Sequence, residues 1–140
     1  PNYEQLKDAK SQEIKKEKAS DLSSVSTSGV IAYSNNIKEK ELGVHADTLK
    51  TKGAVSEETV TEMALGVCQK YNTNVGIAIS GIAGPDGGTV EKPVGTVWIA
   101  YSDKHKTLAK KFNFSRDRTF IVHWSALAAL NMIRLNVGVK

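Results

Sequence analysis

The stretch VGIAISGIAGPDGGTVEKPVGTVWIAYS, residues 75–102, decides the fold. Two apolar runs too short for helices, Val75–Ser80 and Val94–Ser102, flank a glycine-rich connection. Each run reads as a buried strand, because continuous apolar character over so few residues suits a sheet covered on both faces. Downstream, Asp103-Lys104-His105-Lys106 is a polar turn. Leu108, Lys110, Phe112 and Phe114 then alternate with Ala109, Lys111 and Asn113, the pattern of an antiparallel edge-type strand. Asp117 caps a long helix whose apolar side takes Phe120, Ile121, Trp124, Leu127, Ala128, Leu130 and Ile133, ending before Gly138. Trp98 reads as strand core and Trp124 as helix core. His123, beside that apolar side, reads as a core or interface residue.

Upstream, Ser56 is an N-cap, and Glu57 and Glu58 complement the dipole of the first turn. Val60, Met63, Ala64, Val67 and Tyr71 give that helix its apolar stripe, with Cys68 beside it as a buried structural thiol. Ala46–Lys50 forms a further helical turn ending at Gly53, and Ile37–Leu42 a short helix closed by Gly43. Val30, Ile31 and Ala32 read as a buried strand that ends at Tyr33-Ser34-Asn35-Asn36. Residues 1–18 read as an exposed helix with Tyr3, Leu6 and Ile14 on a thin apolar side, and the serine-rich 19–28 as a loop. The order of elements predicts an α/β fold, a three-layer α/β/α sandwich with a mixed sheet, in one domain over 1–140.

Composition narrows the function classes. The chain has 140 residues, 40% hydrophobic, with a net charge of +4 spread along its length. That excludes wholesale disorder and gives no basic stripe interleaved with aromatics, so no nucleic-acid partner is expected. One cysteine rules out an internal disulfide framework and suits a reducing compartment. No apolar run is long enough to span a bilayer, so the expectation is a cytoplasmic protein without a membrane partner. His45, His105 and His123 are far apart and lack metal-ligand spacing, so no metal or other cofactor is expected. The apolar last helix and the edge-type strand favour a homo-oligomer.

The candidate site residues cluster at strand ends. The connection Ser80–Gly95 starts at the carboxyl end of a strand, where open α/β sheets bind ligands, and its glycines let backbone N–H groups approach an anion. It is not a Walker loop, since no Gly-Lys-Ser/Thr closes it, nor a dinucleotide fingerprint, since a strand rather than a helix follows. Lys38, just beyond the strand end, can reach a pocket, although Glu39 and Lys40 fit a surface-charge run equally well. Arg116 and Arg118 precede the last helix, where a cation and backbone N–H groups together suit a phosphate.

GVIAYSNNIKEKELGV, GAVSEETV, SGIAGPDGGTVEKPVGTVWIA and FSRDR together resemble the C-terminal domain of the CinA family, the nicotinamide mononucleotide amidohydrolases and their competence/damage-inducible relatives. The resemblance covers residue 28 to about residue 136 and is closest to the stand-alone form. It implies hydrolysis of the carboxamide of nicotinamide mononucleotide by a Ser/Lys mechanism. It makes Lys38 the base and Tyr33, Ser34 and Asn35 pocket residues. It gives Ser80, Gly81, Gly84, Gly87, Gly88 and Thr89 the cradling of the substrate, and Arg118 a nucleotide contact. The family's nucleophilic serine lies in a Glu-Ser-Cys-Thr-Gly-Gly segment, and this sequence has none; only ASDLSSVSTS stands between about residues 18 and 29. Either a serine-bearing stretch is missing there, or the protein is a silent nucleotide-binding or competence/damage-related interaction module. The first is preferred, because a domain stripped of its first strand and helix exposes apolar sheet at about 25 cal/mol per Å².

Overall fold

The computed structural model describes residues 28–138. The expected helix over 1–18 and nearly all of the loop over 19–28 lie outside them. In the described chain, Ser34 caps α1 (Asn35–Leu42), its Oγ accepting from the Ile37 N–H at 3.2 Å. Gly43, left-handed at φ 69°, ends the helix. Then come α2 (Ala46–Lys52) and α3 (Glu57–Tyr71), the latter capped by Ser56, whose Oγ accepts from the Thr59 N–H at 3.2 Å.

The sheet is a meander of β1 (Val75–Gly81), β2 (Thr96–Asp103) and β3 (Thr107–Asn113), paired antiparallel in the order β1-β2-β3. Ile79 stands opposite Ile99, and Ile99 opposite Lys110. Asp103 makes the β2–β3 turn by accepting from the N–H groups of His105 and Lys106. Finally α4 (Arg118–Asn136) starts at Asp117, whose carboxylate accepts from the Phe120 N–H at 2.8 Å. Among the described residues no helix is long and apolar enough to cross a membrane.

Alternation along the strands divides the core in two. Ala78 and Ala100 face Leu42, Val44, Leu49, Val60, Met63 and Ala64 from α1 to α3. Val97, Ile99 and Tyr101 face Ile121, Ala129 and Met132 of α4. Helices therefore pack on both faces of the sheet, and the chain is α/β. Small residues set the closest approaches. Gly66 of α3 lies where any Cβ would run into the carbonyl of Leu42, so α1 and α3 cross backbone to backbone.

Four expectations need correction. The described strands are all antiparallel, so the sheet they form is not mixed. Val30–Ala32 is not a strand among the described residues, where it has no ladder partner, and Val30 and Ala32 pack against the α3-side core. Cys68 is half-buried rather than buried, its thiol 4.0 Å from the Ser102 carbonyl. The face of α4 is also turned: Ile121, Val122, Ser125, Ala129 and Met132 are buried, whereas His123, Trp124, Leu127 and Leu130 are exposed. Small Ser125 and Ala129 let the helix axis approach the sheet, and bulkier residues would hold it off.

Candidate functional site

Lys38 is the unusual residue. It sits one turn into α1 with only 6% of its surface exposed, and its Nζ donates to the Ala32 carbonyl at 2.9 Å. The Ser34 cap fixes the start of α1, and the segment before it presents the Ala32 carbonyl, so the chain folds back on its own lysine. Among the described residues no carboxylate pairs with this ammonium. Burial lowers its pKa from the ordinary lysine value, since a desolvated amine is disfavoured in its charged form. An amine that gives up its proton more readily is what a general base requires.

The neighbours differ in role. Tyr33 is 72% exposed, Ser34 is committed to its cap, and Asn35 opens the helix in solvent. At the far end of β1, buried Ser80 donates its hydroxyl to the Ala54 carbonyl at 2.7 Å, tying the strand to the link between α2 and α3. Gly81 leaves the strand against Val97, where a Cβ would come within 2.8 Å of that side chain.

The loop beyond is ordered by two tethers. Arg118 donates from Nη1 to the Gly84 carbonyl at 2.9 Å, so the start of α4 holds the loop. Thr89 accepts at Oγ1 from the Lys92 N–H at 3.0 Å and donates its own N–H to the Lys92 carbonyl at 2.9 Å. Gly87 has φ 97°, and Gly88 backs onto the Val94 amide. The structure thus joins Arg118 to the glycine loop and Lys38 to the Tyr33–Asn35 turn. Among the described residues no hydrogen bond links these two groups. Arg116 lies over the Phe120 ring, 4.5 Å from its centroid.

A cleft of about 380 Å³ opens elsewhere, between the α2–α3 link and the loop before β2. Lys52, Ser56, Glu58, Lys92, Trp98 and Lys111 are among its lining, and Lys92 Nζ donates to the Lys52 carbonyl at 2.6 Å across one end. Of what the sequence singled out as a site, only the Ser80–Gly95 connection reaches it, through Glu91 and Lys92. Its walls come from four separate segments, and Trp98 among them is half-buried rather than core. Among the described residues no three His, Cys, Asp or Glu side chains gather to hold a metal.

The family model described as the CinA C-terminal domain matches residues 15–137. A CinA-like protein of Cytophaga hutchinsonii is 51% identical over 105 residues, covering 75% of this chain and 25% of that protein. Among solved structures, the competence/damage inducible protein CihA from Agrobacterium tumefaciens is 38% identical with a TM-score of 0.72, over 74% of this chain and 64% of that one. The competence damage-inducible protein A (ComA) from Klebsiella pneumoniae subsp. pneumoniae is 33% identical with a TM-score of 0.79, over 86% and 74%. The chain spans about a quarter of the length of the curated relatives it matches.

Proposed function

The chain belongs to the CinA C-terminal domain family, and from that premise we propose that its fold serves a nicotinamide-nucleotide amidohydrolase with Lys38 as general base. The buried amine of Lys38, held on the Ala32 carbonyl, is the observation that carries the reading. Neutral Lys38 takes the proton from a serine hydroxyl, whose oxygen attacks the carboxamide carbon. The positive pyridinium ring of the substrate withdraws electrons from that carbon and lowers the lysine pKa further. Backbone N–H groups of the Gly81–Gly88 loop, or of the serine's own turn, hold the tetrahedral oxyanion. As the tetrahedral intermediate collapses the C–N bond breaks, and the Lys38 ammonium protonates the leaving nitrogen, which departs as ammonia. Water then cleaves the acyl-serine ester, giving nicotinate mononucleotide and free serine.

The serine itself belongs to a strand, turn and helix that we place between about residues 18 and 29, where this sequence has no Glu-Ser-Cys-Thr-Gly-Gly run. Among the described residues the outer edge of β1 is unpaired, which supports that placement. The missing motif also gives a second reading for the 140-residue chain, a module that binds the nucleotide and does not turn it over. A competence or damage role rests on the names of relatives alone.

An ammonia-release assay on nicotinamide mononucleotide separates these readings. The 140-residue chain should release none, and a form carrying the serine segment should turn over. In that form Lys38→Ala should abolish release with the fold retained. Near-full turnover by Lys38→Ala would refute the Ser/Lys assignment.

A further inference from the structure

Asp86-Gly87 is the single place in the sequence where an aspartate or asparagine precedes a glycine. It lies in the loop between β1 and β2, where residues Pro85 to Glu91 are all exposed. The loop is tied down on either side of this pair and not at it. On one side Arg118 holds the Gly84 carbonyl, and on the other Thr89 and Lys92 bond to each other. Among the described residues neither the Asp86 carboxylate nor the Gly87 N–H has a hydrogen-bond partner. The other described aspartates are held. Asp103 accepts from the Tyr101 hydroxyl and from the N–H groups of His105 and Lys106, and Asp117 accepts from the Phe120 N–H. Asp47 lies within α2, whose backbone dihedrals are fixed by the helix.

An aspartate side chain can close a five-membered ring with the main-chain nitrogen that follows it. The Gly87 nitrogen attacks Cγ of Asp86, the new C–N bond forms, and one carboxyl oxygen leaves as water with the amide proton and the acid proton. A side chain on the following residue crowds that approach, and glycine has none. The surroundings leave room as well: a Cβ built on Gly87, whose φ is 97°, would meet only Ile82, at 3.7 Å. Water then opens the succinimide at either carbonyl. Attack on the carbonyl that came from the side chain restores aspartate. Attack on the original main-chain carbonyl leaves the chain running through Cβ and Cγ, with the α-carboxylate as the side group.

We propose that Asp86 is a covalent modification site of this chain, converting in the folded protein through a succinimide to isoaspartate. Water is the only co-reactant, and the net charge is the same before and after. The product lengthens the main chain between the two tethers by one bond, about 1.5 Å. It also creates a chemical handle that the unmodified loop lacks. An α-carboxylate on a β-linked residue is the group that an isoaspartate-directed carboxyl methyltransferase accepts, so the modified loop is a substrate for that class of enzyme.

Ageing the full chain for several weeks at neutral pH and physiological temperature tests this independently of any catalytic activity. The probe is an isoaspartate-directed methyltransferase with a tritiated methyl donor, followed by peptide mapping, and an unchanged far-UV spectrum shows that the folded chain is what reacted. Label should accumulate with time at residue 86 and at none of Asp47, Asp103 and Asp117. A transient form of the same peptide, lighter by one water, should precede it. Asp86→Glu should lose the label at that position, because its ring would need six members and closes far more slowly. The proposal is overturned by a folded chain that stays unlabelled at residue 86, whether or not a synthetic peptide of residues 82–92 takes the label. Equal labelling at Asp103 or Asp117, or label that persists in Asp86→Glu, would overturn it too.

Discussion

Replacing Lys38 with Met isolates the buried amine from everything else about the site. Methionine keeps an unbranched apolar stem in the same space and removes the donor to the Ala32 carbonyl. At neutral pH two effects oppose. Losing a hydrogen bond from a charged group costs about 1.5–3 kcal/mol, and no longer desolvating an ammonium returns part of it. The pH dependence is the sharper quantity. The folded-state pKa of Lys38 is lowered, so between it and the unfolded value the unfolded chain holds a proton that the native state has released. Stability of the wild type, relative to Lys38→Met, must therefore rise with pH through that window and level off near 10.5. The slope is bounded by about 1.4 kcal/mol per pH unit for one proton. Urea unfolding of both proteins from neutral pH upward measures the difference directly. Parallel stability curves would show an amine with an ordinary pKa, and the general-base reading would fall with them.

Ser56→Ala should lower stability by about 1–2 kcal/mol, several degrees in Tm, because it strips the N-cap of α3. Val90→Ala, at a 95% exposed position, should change thermal stability by less than about 0.5 kcal/mol, and equal effects of the two would refute the capping argument. Burial and the hydrogen bond to Asp103 push the Tyr101 phenol up to about 12. Alkaline difference spectroscopy should show a late tyrosine wave that Tyr101→Phe removes. Because the unfolded phenol ionises first, stability should fall as pH rises from 10 towards that value.

The caps and punctuation of the helices were legible in the sequence, since Ser56, Asp117 and Gly43 act through local backbone geometry that no distant residue can override. The three strands were legible for a similar reason, as short apolar runs broken by turn residues admit few other conformations, but their all-antiparallel pairing was not. Val30–Ala32 misled because a strand is a relation between segments: β-branched residues favour extension, and only a neighbour supplies the ladder. The orientation of α4 misled because a helix with apolar residues on every side carries no period from which to choose a face, and its largest ones, Trp124, Leu127 and Leu130, point outward. Its true inward arc includes Ser125 and Ala129, which polarity and size both discount. Lys38 could be nominated from its place after a predicted strand end, but its burial could not. Glu39 and Lys40 beside it are both exposed, and only the fold-back of Ala32 sets it apart from them.

The connections of the meander bear on the order in which the sheet assembles. Lys104–Lys106, three residues, join β2 to β3, whereas Ile82–Gly95, fourteen residues, join β1 to β2. Chain-closure entropy favours the shorter link by about 1.4 kcal/mol, roughly a tenfold advantage in encounter probability. The β2–β3 hairpin is thus the natural nucleus. β1 arrives on a preformed template, and the glycine loop takes its shape only once that last strand has docked.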